Sequence, residues 1–368
     1  MKRVLVLAGE NFRVHSTNPL DLAEALAREG LEVTVAAPWD DDARVRSGGR
    51  GFAAVRIGRE GSNASLWGGG VRLAARLRPD VVMGVNAVGF VAADVVRSFG
   101  LARRLASYAL EYQLPDAAPR SLSVRWWALR ARRADLVLAT SAPRAAAMHA
   151  ALKLARAPIV VENAPTQRPV PSAELRRTAR AHGLRAERVV VYAGAINRVA
   201  CLVEAVEASR LWTADAGLAL VAFGGSSGER DALSAAIARA EGRAVLLPPV
   251  NGRGPLLSLL AGADAAVVLY DPAEGGANVA LATPNKLYDA LAAGLPVVTN
   301  DLPGPMREVL QAGAAAPCEP RNASSIAAAV DRLIGGQQAF AAAARRLFDD
   351  RFLDGRHLRE AVRAVTAL

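Results

Sequence analysis

Continuous apolar runs recur along the chain, each followed by a polar loop and then by apolar positions spaced three and four apart. In the first half the runs fall at 4–8, 33–37, 80–85, 105–108, 134–139 and 159–161. In the second they fall at 189–193, 218–223, 244–247, 265–269 and 297–299. Runs without internal polar alternation fit strands covered on both faces, and the intervening 3.6-residue periodicity predicts helices, the first over 20–29. The pattern is therefore α/β with parallel sheets. Two runs open alike: Val4-Leu5-Val6-Leu7-Ala8-Gly9 starts the chain and Val189-Val190-Val191-Tyr192-Ala193-Gly194 stands midway. Each reads as the first strand–loop–helix unit of a doubly wound domain. Between them, Ala164-Pro165-Thr166-Gln167-Arg168-Pro169-Val170-Pro171 reads as a linker. A length of 368 residues also suits two domains better than one. The expected division is 1–166 and 167–350, with a final helix within 351–368.

Bulk properties narrow the function classes. The net charge of +10 suits an anionic partner, with nucleic acid, anionic lipid and nucleotide substrates all in range, or simple solubility. Nucleic acid is disfavoured: no aromatic-basic recognition module is visible, and the four histidines and two cysteines lack zinc spacing. Cys201 and Cys318 cannot make a disulfide framework and point to a reducing compartment. The opening MKRVLVLAGE imitates a leader, but its apolar run is short and no small-residue cleavage site follows, so it reads as a buried strand. Spanning a bilayer takes about 20 apolar residues, and the nearest stretch, 81–96, is interrupted by Asn86 and Asp94. The expected location is cytoplasmic, with at most a peripheral contact at the inner face of the membrane.

The richest stretch is EGGANVALATPNKLYDALAAGLPVVTN, residues 274–300. Thr283 suits an N-cap and Pro284 the first helical position, where a missing N–H costs nothing. Leu287, Ala290 and Leu291 follow at helical spacing, Gly294 closes the helix, and Pro296 leads into a strand. Lys286 falls in the first turn, where a cation opposes the helix dipole unless an anion sits between them. Asp289 lies one turn on. An anion cradle beside a carboxylate suits a sugar nucleotide, with diphosphate on the cradle and ribose hydroxyls on the acid.

This segment resembles the donor-site signature of GT-B glycosyltransferases, in particular the large retaining family four (group 1), many of whose members build bacterial surface polysaccharides. Pro284, Asn285, Lys286, Leu287, Asp289, Ala292, Ala293, Gly294, Pro296 and Val297 carry the likeness. Weaker matches follow in the family's order: Ser107 to Tyr112, Ala134-Asp135-Leu136-Val137 with Thr140-Ser141, Val161-Glu162-Asn163-Ala164-Pro165, Tyr192-Ala193-Gly194 and Ala261-Gly262-Ala263-Asp264-Ala265. The resemblance implies two Rossmann-like doubly wound domains facing a cleft, acceptor side first and donor side second, and a last helix that returns to pack on the first domain. It implies transfer of a sugar from a nucleoside-diphosphate sugar with retention of configuration, no cofactor, and no bound metal.

The resemblance also assigns residues. Lys286 and Arg198 would meet the leaving diphosphate, as fixed cations facing growing charge lower the barrier. Asp289 would accept the ribose hydroxyls. The other acidic position of the family pattern falls on Leu281, a departure, and Glu274 or Asn278 would serve the sugar instead. Gly194, Gly224 and Gly225 would let the chain approach the nucleotide, Pro249 and Val250 would touch the base, and Thr283, Pro284 and Asn285 would complete the cradle. In the first domain, His15 and Glu111 are candidates near the acceptor hydroxyl. Asp40, Asp41 and Asp42 read as a solvated loop.

The segment from Arg120 to Arg133 joins Trp126 and Trp127 to five arginines. It fits a membrane interface, which would make the acceptor lipid-linked, and equally a helix with core tryptophans and solvated arginines. Two other functions stay open: a GT-B-fold epimerase or phosphorylase, and a nucleotide-sugar-binding pseudoenzyme or scaffold.

Overall fold

The computed structural model describes residues 1–9, 18–39, 49–59, 62–112, 114 and 121–368. His15, Arg120 and the Asp40–Asp42 run lie outside them. The chain divides into two units, Met1–Asn163 with Gly355–Leu368, and Ala164–Asp354.

In the first unit the strands are β1 (Arg3–Ala8), β2 (Glu32–Ala37), β3 (Ala53–Arg56), β4 (Val81–Val85), β5 (Arg104–Ala109), β6 (Leu136–Ala139) and β7 (Ile159–Val160). The described helices are α1 (Asn18–Arg28), α2 (Asn63–Leu77), α3 (Asn86–Ser98), α4 (Leu122–Arg130), α5 (Ala142–Leu152) and the chain's last, α15 (Arg359–Ala367). The sheet is parallel with order β3-β2-β1-β4-β5-β6-β7. The apolar stretch at 81–96 is β4 running straight into α3. Asn86 turns the corner at φ 53°, a conformation asparagine tolerates, and its Oδ1 accepts the N–H groups of Leu110 and Glu111 at 2.9 and 3.3 Å. Gly89 brings α3 close to β1: a Cβ there would stand 2.3 Å from the Leu7 carbonyl oxygen. Leu358, Ala361, Val362 and Val365 of the final segment join the core formed by Leu22, Leu26, Val33 and Val81.

The second unit holds β8 (Arg188–Ala195), β9 (Ala216–Phe223), β10 (Ala244–Leu247), β11 (Ala265–Val268), β12 (Val297–Thr299) and β13 (Ala315–Pro317). Its helices are α6 (Glu174–Ala181), α7 (Leu202–Ser209), α8 (Ser227–Arg239), α9 (Arg253–Leu260), α10 (Pro272–Ala280), α11 (Asn285–Ala292), α12 (Pro305–Gln311), α13 (Ala323–Gly335) and α14 (Gln337–Arg351). The sheet order is β10-β9-β8-β11-β12-β13, again parallel. Alternate side chains of β8 feed two separate cores: Val189 and Val191 on one face, Val190 and Tyr192 on the other. The proline-rich stretch lies along this unit's end, where the Asp354 N–H donates to the Thr166 carbonyl (2.8 Å) and Arg168 pairs with Asp349 (2.9 Å).

Three details differ from the sequence reading. The edge strands β3 and β13 are additions: their apolar runs are short and mostly alanine, β3 is half exposed, and β13 ends in Pro317, which an edge tolerates. The helix after Thr283 starts one residue later than expected. Pro284 is the cap, extended at φ −71° and ψ 125°, its carbonyl accepting the Leu287 N–H at 3.0 Å, and Thr283 is buried. The tryptophan pair splits, with Trp127 in the core, donating to Ser107 Oγ at 3.1 Å, and Trp126 at the surface.

Candidate functional site

In an open parallel sheet, the crevice for a ligand forms outside the carboxyl ends of the strands where the order reverses. In the second unit that point lies between β8 and β11. Four residues meet there. Gly194 stands near the end of β8 and Tyr270 just beyond β11. Tyr192, two residues before Gly194, donates from its hydroxyl to the Ala195 carbonyl at 2.7 Å. Lys286, in the first turn of α11, donates from Nζ to the Tyr192 hydroxyl at 3.2 Å and lies 4.7 Å from the ring centroids of both Tyr192 and Tyr270.

The glycine is what admits the lysine. A Cβ at position 194 would stand 3.0 Å from Tyr192 Oη, 3.1 Å from Lys286 Cε and 3.3 Å from Lys286 Nζ. Burial works against the ammonium, and the phenolic oxygens of Tyr192 and Tyr270 more than offset it, so Lys286 stays charged with its pKa above the ordinary lysine value. Burial also pushes the Tyr192 phenol up, against the pull of Lys286, so the phenol stays protonated. The result is a fixed cation held by two aromatic faces at the start of a helix, where backbone N–H groups favour an anion.

The loop after β8 also serves a second cluster. Arg198 pairs with Glu274 at 2.9 Å, and Arg321 pairs with Glu204 (2.6 Å), Asp271 (2.7 Å) and Glu274 (3.3 Å) while donating to the Arg198 carbonyl (3.2 Å). Hydrogen bonding from Arg321 holds the Asp271 carboxyl below the usual carboxylate range. Beside this network a cleft of about 510 Å³ opens between the starts of α7 and α8, lined by Ile196, Arg198, Leu202, Glu229, Leu233 and Arg321. Gly224 and Gly225 take φ 71° and 79°, and a Cβ at 225 would stand 3.0 Å from Ile196. They lead into Ser226, whose side chain and that of Glu229 form a capping box on α8.

Asp289 is buried, and its Oδ1 receives both Nε (2.9 Å) and a terminal nitrogen (2.7 Å) of Arg253, whose side chain is 8% exposed. The pair ties α11 to the start of α9, just after Pro249 and Val250 in the loop that follows β10. Pro249 is exposed and Val250 packs partly against the core. Glu274 and Asn278 both lie in α10, which breaks at Gly276 (φ 58°), and Leu281 caps that helix. Asn285 opens α11, adjoining Lys286.

The sequence-predicted residues thus fall into groups. Gly194 and Lys286 meet directly. Arg198 meets Glu274 in a separate network. Asp289 meets Arg253. In the first unit, Glu111 follows β5, half exposed, with a carboxylate oxygen 3.7 Å from the buried Arg144, which also donates to the Leu110 carbonyl (2.6 Å) and Thr140 Oγ1 (3.1 Å). Sequence reasoning missed Tyr270, Arg253, Arg321 and Arg144 as partners. Tyr192 was visible only as part of a strand-ending string. Among the described residues, no three His, Cys, Asp or Glu side chains gather as metal ligands would.

Two doubly wound parallel units with these features define a GT-B-fold protein. Residues 187–336 match the glycosyl transferases group 1 family and residues 19–162 match glycosyltransferase family 4. The chain is therefore a glycosyltransferase, made of one family 4 domain and one group 1 domain. No curated protein sequence matches it significantly. Among solved structures it is similar to Anabaena HepE in complex with UDP and glucose, at 17% identity and TM-score 0.78 over 100% of both chains. It is also similar to sucrose-phosphate synthase from Thermosynechococcus elongatus (16%, TM-score 0.72, 100% of this chain and 97% of that one). A putative UDP-N-acetylglucosamine 2-epimerase from Listeria monocytogenes shares the fold at 14% identity and TM-score 0.67, over 100% of this chain and 97% of that one.

Proposed function

We propose that the protein moves a sugar from a nucleoside-diphosphate sugar to an acceptor hydroxyl with retention at the anomeric carbon, and that protein groups rather than a metal stabilise the departing diphosphate. The observation that carries this reading is the Lys286 ammonium, fixed by Tyr192 and Tyr270 at the start of α11 beside Gly194. When the bond from the anomeric carbon to the diphosphate oxygen breaks, its electron pair stays on that oxygen. A preorganised cation and helix N–H groups lower the barrier because they need not reorganise as this charge grows. Arg198, held out by Glu274, is the proposed second cation, and Gly224 and Gly225 the backbone that approaches the nucleotide. Pro249 and Val250 are assigned to the base. Ribose hydroxyls are assigned to Asp289, whose carboxylate Arg253 already orients. The UDP and glucose bound by HepE make UDP-sugars the first donors to test.

Retention rests on the resemblance to the retaining family. Matches to glycosyltransferase families in both halves favour transfer over the epimerase chemistry named for the Listeria neighbour. The test is an incubation with a panel of UDP-sugars, with and without small glycoside acceptors, followed by proton NMR. The reading expects nucleoside diphosphate release and a product with the donor's anomeric configuration. An inverted anomer would overturn retention, and a 2-epimerised sugar nucleotide without transfer would overturn the reaction class.

A further inference from the structure

We propose that Arg321 is a positioning residue for glycosyl transfer, fixing where Arg198 stands, an inference that rests on the reading of Arg198 as a leaving-group cation. Arg321 lies between β13 and α13, in a turn closed by the Asn322 N–H donating to the Glu319 carbonyl at 3.1 Å. Asn322 caps α13, its side chain accepting from the Ser325 N–H at 3.0 Å, and Ser325 Oγ accepts from the Glu319 N–H at 3.0 Å. The base of the arginine is therefore held by a capped helix. Its guanidinium directs three nitrogens at three segments far apart in sequence. Nε donates at 2.7 Å to Asp271, the cap of α10, and Nη1 at 2.6 Å to Glu204, in the first turn of α7. Nη2 donates to the Arg198 carbonyl at 3.2 Å and faces Glu274 Oε1 at 3.3 Å.

That last contact links the two arginines. Glu274 Oε1 also receives Arg198, at 2.9 Å, so one carboxylate oxygen is divided between two guanidiniums. The main chain of Arg198 is gripped from both sides: its N–H donates to Glu229 Oε1 at 3.1 Å, and its carbonyl accepts from Arg321. Packing does little for the other half of the cluster, because α10 buries none of its residues. Polar ties hold its start instead. The Asp271 N–H donates to the Val199 carbonyl at 2.9 Å, and the Asp271 carboxylate accepts both the Ala273 N–H at 2.9 Å and Arg321. With Arg321 gone, Glu274 Oε1 would face Arg198 alone, and the guanidinium that joins the Arg198 loop to α7 and α10 would be lost. A fixed cation lowers a barrier as far as it is in place when charge develops, so a group that fixes it raises turnover without touching substrate. Lysine cannot substitute, since its ammonium is a point charge and lacks the rigid fork that serves three segments at once.

The test is a double-mutant cycle on turnover with the wild type, Arg198→Met, Arg321→Lys and the two combined. Nucleoside diphosphate release is followed from UDP-, GDP-, ADP- and dTDP-sugars with small glycoside acceptors present, and melting curves verify that each variant is folded. Arg321→Lys should lower kcat about 10- to 100-fold, as misplacing a reacting group by about 1 Å costs up to about 10²-fold, and should leave the donor KM within about threefold. In the Arg198→Met background the same change should alter kcat by less than about threefold, because the group it positions is already gone. Glu204→Gln releases one nitrogen of the fork without touching Arg198 or Glu274, and replaces Arg321→Lys in the cycle if that variant does not fold, with the same pattern expected. Equal losses in both backgrounds overturn the proposal, since a purely structural arginine would act alike in each. An unchanged kcat for Arg321→Lys also overturns it. An unchanged kcat for Arg198→Met instead removes the reading of Arg198 on which the proposal rests, and a wild type that releases diphosphate from none of the donors removes the transfer reading and this proposal together.

Discussion

Removing the Asp289 carboxylate alone should destabilise the second unit far more than an exposed ion pair would. Asp289→Ala leaves the Arg253 guanidinium, 8% exposed, without the oxygen that receives two of its nitrogens. Breaking a buried pair by deleting one partner costs about 3–5 kcal/mol, because the remaining charge stays largely out of water and loses the carboxylate that faced it. For a unit of this size each kcal/mol shifts the midpoint by about 2–4 °C, so the variant should melt about 6–20 °C lower. Replacing both partners with apolar side chains, Arg253→Met with Asp289→Leu, should restore stability to within about 2 kcal/mol of the wild type, since both charges are then removed. Urea denaturation of the wild type, both single variants and the double variant gives the coupling directly. If Asp289→Ala melts within about 2 °C of the wild type, or the double variant is no better than the sum of the singles, the pair does not bear on stability in the way its burial indicates. The same variants separate stability from binding: a double variant that regains stability but not nucleotide affinity supports the ribose assignment for Asp289.

Gly194→Ala places a Cβ against Tyr192 Oη and Lys286 Cε, so it should displace the ammonium and weaken nucleoside diphosphate binding about tenfold, close to 1.4 kcal/mol; calorimetric titration checks this, and unchanged affinity would mean that the lysine is not fixed by the glycine. Burial pushes both the Cys201 and the Cys318 thiol up to about 12. Alkylation of the native protein at pH 8 should then run about 10³-fold slower than for an ordinary thiol, rise steadily with pH through pH 10, and become fast in denaturant. Rates that level off near pH 9 in the folded protein would contradict it. Turnover should survive excess chelator; loss that magnesium or manganese restores would show that a metal carries the leaving-group charge.

The architecture was readable because its strands are uninterrupted apolar runs, a signal that depends on burial by both faces of the sheet and not on any distant partner. Where the run is short and alanine-rich and burial is partial the signal fades, as in the half-exposed β3, Ala53–Arg56. The donor segment was legible for a similar reason: Pro284, Lys286 and Gly294 are local punctuation of one helix. What sequence could not supply was pairing across distance. Arg253 and Asp289 lie 36 positions apart, and Lys286 and Tyr192 lie 94 apart. Nothing in the string PVNGRGPLL marks its arginine as the mate of a buried carboxylate. The position of Arg198 after Gly194 points it toward the phosphates, yet its partner in the fold is Glu274. The tryptophan pair was ambiguous because adjacent residues on a helix point about 100° apart, so one can be core and its neighbour surface.

The most direct test of the account is calorimetric titration of the wild type and Lys286→Met with UDP, UDP-sugars and uridine. Methionine keeps much of the lysine stem's length and removes the charge. The diphosphates should bind the wild type, and Lys286→Met should weaken them by roughly 10- to 150-fold, the loss of one charged hydrogen bond of about 1.5–3 kcal/mol. Uridine, which has no phosphate, should bind both proteins alike. Equal diphosphate affinity for the two proteins would show that the ammonium held by Tyr192 and Tyr270 is not the phosphate site.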